Sequence, residues 1–476
     1  MAHPHREVTS QLRREMGFWD VLLFNIAAVL GPRWIAAAAH NGTSSISLWA
    51  LAAVFFFVPT ALVITELSTR FPAEGGLYVW TREAFGDFHG FVAGWSYWVY
   101  SFFYFPGLLV ASTAMGAYIG GAGLGHLAND RAFLISGSLV LLAVAVSLNI
   151  VGLNIGKWLQ NAGGVGTYAP LLILVGIALA VYSRYGSQVH ISWHNILPVW
   201  NFDTVNFWSQ IAFAFTGMEL VCAMAEEVRD PQRTFPRAIF GSCVLIAVIY
   251  ILGTIATMSL ISPGEVDPKS GVFQAVTAGS TLLRVGFFGV LAAMLVTVGN
   301  AGGVGTTVAG VARVPFAVGI DSYLPAYFGK IHPRWRTPYI SILIQAGISA
   351  VVLVLSQISE TVSGAYQVLV DAAIILYFLP FLYMYAAAIK LAYRPDREQS
   401  PGAVLVPGGR AGVWTAGLLG FLICALAMAL SMIPPGETAN KTVFELKLLG
   451  GTSLAILIGL ALYWRAKRKN QPGTNP

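Results

Sequence analysis

Apolar runs of roughly 18 to 25 residues recur along most of this chain, each long enough to cross a bilayer as a helix. Twelve are read, at 18–40, 46–69, 89–118, 132–151, 158–183, 207–227, 235–261, 282–310, 338–357, 364–390, 412–432 and 444–465. Hydrophobic residues make up 56% of the chain and charged residues only 11%, whereas a soluble domain carries about a quarter charged. The class expected is an all-α polytopic membrane protein. Fifty glycines suit it, because small residues let helices approach closely in lipid.

Two of the runs are interrupted. Val21–Ala39, VLLFNIAAVLGPRWIAAAA, holds Gly31-Pro32-Arg33 in its middle. Proline lacks the N–H a helix needs and clashes one turn back, and glycine tolerates unusual backbone angles. The helix is expected to stop near Leu30, run unwound past Arg33 and restart around Ile35. Bare backbone polar groups in lipid cost several kcal/mol each, so such a break survives only when packed in protein or lining a cavity. The sixth run, FAFTGMELVCAMAEEVRDP, is interrupted at Thr216-Gly217, with Glu219 following at mid-membrane depth. Runs one and six lie five apart, the spacing required by an inverted repeat of spans 1–5 on 6–10. Transporters built this way place substrate between two discontinuous helices near the midplane.

The net charge of +6 is distributed by side rather than gathered in one patch. Arg6, Arg13 and Arg14, then Arg229, Arg233 and Arg237, then Lys330, Arg334 and Arg336, and finally Arg465 and Lys467–Lys469 fall on one side if the N-terminus is cytoplasmic. The positive-inside rule then puts both termini in the cytoplasm, and no nucleic-acid partner is needed to explain the charge. Cys222, Cys243 and Cys424 lie singly in apolar runs, without metal-ligand or disulfide spacing. The opening MAHPHREVTSQLRRE has no cleavage site, so no removable signal is expected. No enzyme motif, phosphate loop, cofactor or metal site is read, so energy is expected from an ion or substrate gradient.

Three stretches carry a family resemblance. Glu66–Gly86 (ELSTRFPAEGGLYVWTREAFG) follows span two, and its Pro72 and Gly75-Gly76 imply a turn and a short helix. Gly217–Ala238 joins the span-six glutamate to an acidic, proline-rich loop, and Arg313–Pro338 links spans eight and nine. In that order they resemble the amino acid–polyamine–organocation superfamily of secondary transporters. The resemblance covers roughly residues 15–395 and implies a five-plus-five inverted-repeat (LeuT-like) fold with helices 1 and 6 discontinuous. The domains expected are a cytoplasmic segment (1–17), the transport core (18–392), a cytoplasmic loop (393–411), helices 11–12 (412–466) and a cytoplasmic tail (467–476). Asp267 to Ser280 is expected as an outer loop over the entrance.

The candidate substrate-binding residues are Gly31, Arg33, Trp34, Tyr97, Phe213, Thr216, Gly217 and Thr307, with Tyr366 and Thr306 as further wall positions. In the family the first break reads Gly-Ser/Ala-Gly and its backbone N–H groups bind the substrate carboxylate. Here Pro32 removes one donor and Arg33 adds a guanidinium fork suited to carboxylates. Three readings of Arg33 stand open: direct substrate contact, occupation of the cavity where related carriers place sodium or a lysine, or a structural role, either paired with Glu219 or Asp371 or snorkelling to water. The stretch Tyr168–Val175 lacks the span-five lysine of some relatives. Glu219 reads as a proton carrier, a partner for a substrate amine, or a cap on the freed N–H groups of the broken helix. Asp371 is a lone acid in span ten, functional by default, paired with Arg33 or facing water at the span end. Phe213 stands where the family places an aromatic gate. Glu66 is expected to anchor the cytoplasmic side, and Glu226 and Glu227 to form solvated pairs near Arg229.

The function expected is secondary active transport of an amino acid or amine across the plasma (inner) membrane by alternating access. Its partners are the lipid bilayer and a proton or counter-substrate. A polyamine or organic-cation carrier, or a non-transporting amino acid receptor, is the alternative.

Overall fold

Where the chain is uniformly apolar it forms long helices, and it breaks where the sequence interrupts that pattern. The structure is a computed structural model; it describes residues 14–120, 122–151, 153–198, 202–268, 270–320, 323–357, 362–434 and 440–469. Among these, eleven helices are long and apolar enough to cross a membrane. They are Phe18–His40, Ser44–Arg70, Asp87–Gly116, Arg131–Val151, Trp158–Tyr185, Pro231–Leu260, Phe287–Val318, Tyr339–Ser356, Gln367–Leu391, Gly409–Ser431 and Lys441–Lys469. They match eleven of the twelve expected runs and are numbered here as spans one to five and seven to twelve. The sixth expected run falls on the interrupted stretch Phe202–Glu227, labelled span six here.

Span one breaks, but more tightly than expected. Helix Phe18–Val29 ends at Leu30 and Gly31, both extended, and a second helix runs Pro32–His40. The chain does not stay unwound past Arg33. Proline at the first helical position gives up no hydrogen bond, because the first N–H groups of a helix have no partner within it, and its φ is already helical. Arg33 therefore projects from the first turn of the second half-helix.

Span six is cut over more residues. Helix Phe202–Ala214 gives way at Phe215–Leu220, and the chain resumes as a 3-10 helix, Val221–Glu227. Gly217 sits at φ +120°, a region open to glycine. A Cβ there would also lie 3.2 Å from the carbonyl oxygen of Ala28, so the two breaks touch. Tyr250, on span seven, ties them together. Its hydroxyl accepts from the Gly31 N–H at 3.2 Å and turns its proton toward the carbonyls of Val29 (2.7 Å) and Ala214 (3.0 Å). Trp49 stacks on its ring at 4.3 Å.

Spans five and eight close the core behind span one. Added to Gly163, a Cβ would stand 2.6 Å from the Gly302 Cα, so this approach requires glycine. Span eight continues as helix to Ile320, which places Arg313 inside the bundle rather than in a connecting loop. The expected outer loop at Asp267–Ser280 contains a helix, Gly271–Leu282, packed against Pro32–His40. After span two the chain turns at Gly75 and Gly76 and forms helix Leu77–Phe85, in line with expectation.

At the end where spans two, six and eight finish, buried charges fasten the bundle. Glu66 accepts from Arg397 at 2.7 and 2.8 Å, from Arg70 at 3.3 Å and from the Val406 N–H at 2.8 Å. Arg313 donates to both oxygens of Glu227 (2.8 and 3.2 Å) and to the Ala309 carbonyl, with Glu74 at 3.9 Å. Glu227 is thus a buried partner of Arg313, which corrects the expectation of a solvated pair with Arg229. Arg229 instead donates its backbone N–H to Met16, and Met16 and Val228 form a parallel bridge. This bridge draws the N-terminal segment across the base of span six.

Candidate functional site

Because the two breaks meet, their residues and those of spans three, eight and ten surround a hollow. Trp34, Tyr100, Tyr104, Phe213, Thr216, Gly217, Thr307 and Tyr377 line it with Ala28, Val29 and Leu220. It is collapsed in this conformation. About 290 Å³ lies within it, part of it open to solvent, and its enclosed space has room for about one water. Phe213 is its aromatic hub, meeting Trp34, Tyr104 and Tyr377 edge-on at 5.8, 6.0 and 5.4 Å.

Glu219 stands just behind this wall, 1% exposed. Its Oε1 accepts hydrogen bonds from the Tyr97 hydroxyl at 2.8 Å and from the Tyr377 hydroxyl, and its Oε2 accepts from the Gly217 N–H at 3.1 Å. The carboxylate therefore caps the break and pins spans three and ten to span six at once. Tyr97 lines neither hollow and reaches the site through Glu219.

Arg33 turns into a second hollow of about 390 Å³, bounded by Gly31, Pro32 and Trp34 with Tyr104, Met115, Thr167, Gly299, Asn300 and Gly303. The walls Ala28, Val29, Trp34 and Tyr104 are common to both hollows. The guanidinium lies 4.4 Å from the Trp34 ring centroid and 5.1 Å from that of Tyr104, in cation–π contact. Among the described residues it forms no ion pair with Glu219 or Asp371, which removes the structural-pair reading. Asp371 lines neither hollow; its carboxylate accepts from Gln367 at 3.0 Å. Thr307 lines the first hollow, while Thr306 donates its hydroxyl to the Gly302 and Gly303 carbonyls. The side chain of Tyr366 lies outside the described residues.

Sequence reasoning missed Tyr100, Tyr104, Tyr250 and Tyr377. Tyr97, Tyr100 and Tyr104 recur at i, i+3 and i+7, one face of a helix, so a legible signal for span three existed. Tyr250 and Tyr377 stand alone in apolar runs, and only the packing of spans seven and ten shows their purpose.

Comparison with known proteins gives the family. A family model described as Amino acid permease matches residues 16–454, spanning both breaks and the buried charge clusters. The chain belongs to the amino acid permease family. It is a multi-pass membrane protein of a transporter family, in agreement with the resemblance carried by its three motifs. Its relatives include an uncharacterized transporter of Legionella pneumophila, 29% identical over 94% of this chain and 96% of the relative. The serine/threonine exchanger SteT of Bacillus subtilis is 26% identical over 72% of this chain and 77% of its own. The probable agmatine/putrescine antiporter AguD of Lactococcus lactis is 22% identical over 94% of each.

Proposed function

We propose that this permease-family chain carries amino acids across the plasma (inner) membrane by alternating access, with both termini cytoplasmic. The reading includes twelve spans, the first ten forming two inverted halves. Substrate sits between the breaks of spans one and six. One observation carries this: Gly217 and Ala28 bring the two breaks into contact beside a collapsed, aromatic-walled hollow. The helix ends that meet at the two breaks are the natural partners of a zwitterion's two charges. A hollow that now admits about one water must open to load, and the end-of-bundle clusters at Arg313 and Glu66 keep the cytoplasmic side shut meanwhile.

A polyamine carrier would need acidic groups facing its cargo. Among the described residues no acidic side chain lines either hollow, Glu219 behind the wall is engaged by three donors, and the charged side chain in the linings is the cation Arg33. That favours a carboxylate-bearing substrate. Counterflow of labelled amino acids in sealed proteoliposomes, challenged with unlabelled amino acids and with putrescine, tests the reading. Accumulation displaced by amino acids and not by putrescine is expected. Binding without counterflow would make the protein a receptor, and displacement by putrescine alone would make it an amine carrier. Coupling is to a proton or to an exchanged solute. If Glu219 carries the proton, Glu219→Gln flattens the pH dependence of net uptake; an unchanged profile leaves exchange.

A further inference from the structure

Arg33 is 3% exposed, and its Nε has no hydrogen-bond partner. Its only contacts of note are the faces of Trp34 and Tyr104, and no acidic side chain lines its hollow among the described residues. The other polar side chains there are weakly engaged or neutral. Asn300 donates its amide to the Met115 sulfur at 3.3 Å, a poor acceptor, and Thr167 presents a hydroxyl. Helix Pro32–His40 also begins at this point, adding the positive end of its dipole. Among the described residues, everything charged that lines the second hollow is positive.

A neutral amino acid seated between the breaks balances its own two charges against the helix ends and leaves the guanidinium uncompensated. A buried, unpaired ion in a low-dielectric bundle is strongly unfavourable, and intramembrane charges mark binding pathways. The two hollows share Ala28, Val29, Trp34 and Tyr104, so one molecule can occupy both. We propose that the substrate is a dicarboxylic amino acid, its amino-acid head between the two breaks and its side-chain carboxylate on the Arg33 fork. This rests on the transport-site reading above and names the substrate class of that site.

The comparison of acids with their isosteric amides tests it. L-glutamate and L-aspartate are measured against L-glutamine and L-asparagine, by competition binding to the purified full chain, in wild type, Arg33→Gln and Arg33→Lys. Wild type should hold the acids at least about tenfold more tightly than the amides, the size of a charge-assisted hydrogen bond to a buried group. Arg33→Gln should bring the acid-to-amide ratio to about one. Arg33→Lys should retain part of it, keeping the charge and losing the fork. Equal affinities in wild type overturn the proposal, and this arm needs no variant to fold. A ratio that persists in Arg33→Gln also overturns it, and leaves the transport site standing with a different carboxylate contact. Binding of neither acids nor amides, with putrescine bound, overturns both.

Discussion

Arg313 and Arg33 are buried to nearly the same degree, 1% and 3% exposed, and both stand in apolar spans. Arg313 is saturated: two oxygens of Glu227, the Ala309 carbonyl and nearby Glu74 surround it. Arg33 has two aromatic faces and an open hollow. Equal burial with opposite partnering separates a fastening from a receptor. The paired arginine costs the protein little because its charge is met from spans six and eight and the loop after span two. The unpaired one lies beside a hollow which, on the proposal above, admits a compensating group.

Stability measurements should split the two arginines sharply. Arg313→Met strands Glu227 and Glu74 without their cation, and should lower stability by about 3–5 kcal/mol in thermal or denaturant unfolding. A loss under about 1 kcal/mol would mean that the cluster is solvated rather than buried. Tyr250→Phe comes next. It leaves the Gly31 N–H and two carbonyls at the breaks unmet, for a cost of about 1–3 kcal/mol. Ligand-induced thermal stabilisation should shrink with it, because the breaks lose their common tether.

Glu74 offers a gentler probe of the saturated cluster. Burial and the charge of Glu227 hold its carboxyl well above the usual carboxylate range, against the pull of Arg313 and with a further push from Glu226. Its Oε1 has no hydrogen-bond partner, and its Oε2 accepts from the Glu226 N–H at 3.3 Å. A raised folded-state value means the stabilisation is complete below the ordinary glutamate range and fades as pH rises through the raised value. Glu74→Gln mimics the protonated form, so it should cost under about 1 kcal/mol at neutral pH and remove that slope from a pH series of melting temperatures. An identical slope in the variant would place the titrating group elsewhere. Arg33→Gln should show the smallest effect on unliganded stability, none or a gain of about 1 kcal/mol, since no ion pair is lost. A loss as large as that of Arg313→Met would reveal a partner and erase the contrast.

Much of this was legible in the residues. Run length gave the helices because a bilayer fixes how many apolar residues a span needs, and eleven spans lie where the runs do. Gly31-Pro32 and Thr216-Gly217 marked both breaks because their backbone chemistry is local. The extent of the first break differs from expectation for a local reason too: Pro32 starts a helix as readily as it stops one. What the sequence could not disclose was long-range pairing. Glu227 and Arg313 lie 86 residues apart and Glu219 and Tyr377 158 apart, while Arg229, nearer in sequence to Glu227, was the obvious and mistaken partner. The release of Arg33 from any acid was equally hidden, because Glu219 had to be seen occupied by tyrosines first.

The account depends on the two breaks acting together as the substrate's seat. Backbone hydrogen exchange, followed with and without the amino acid that gives the largest counterflow, reads this directly. Exchange should slow in residues 28–34 and in residues 214–220 together on binding. Slowing at neither stretch, or at only one while the other exchanges unchanged, would contradict it.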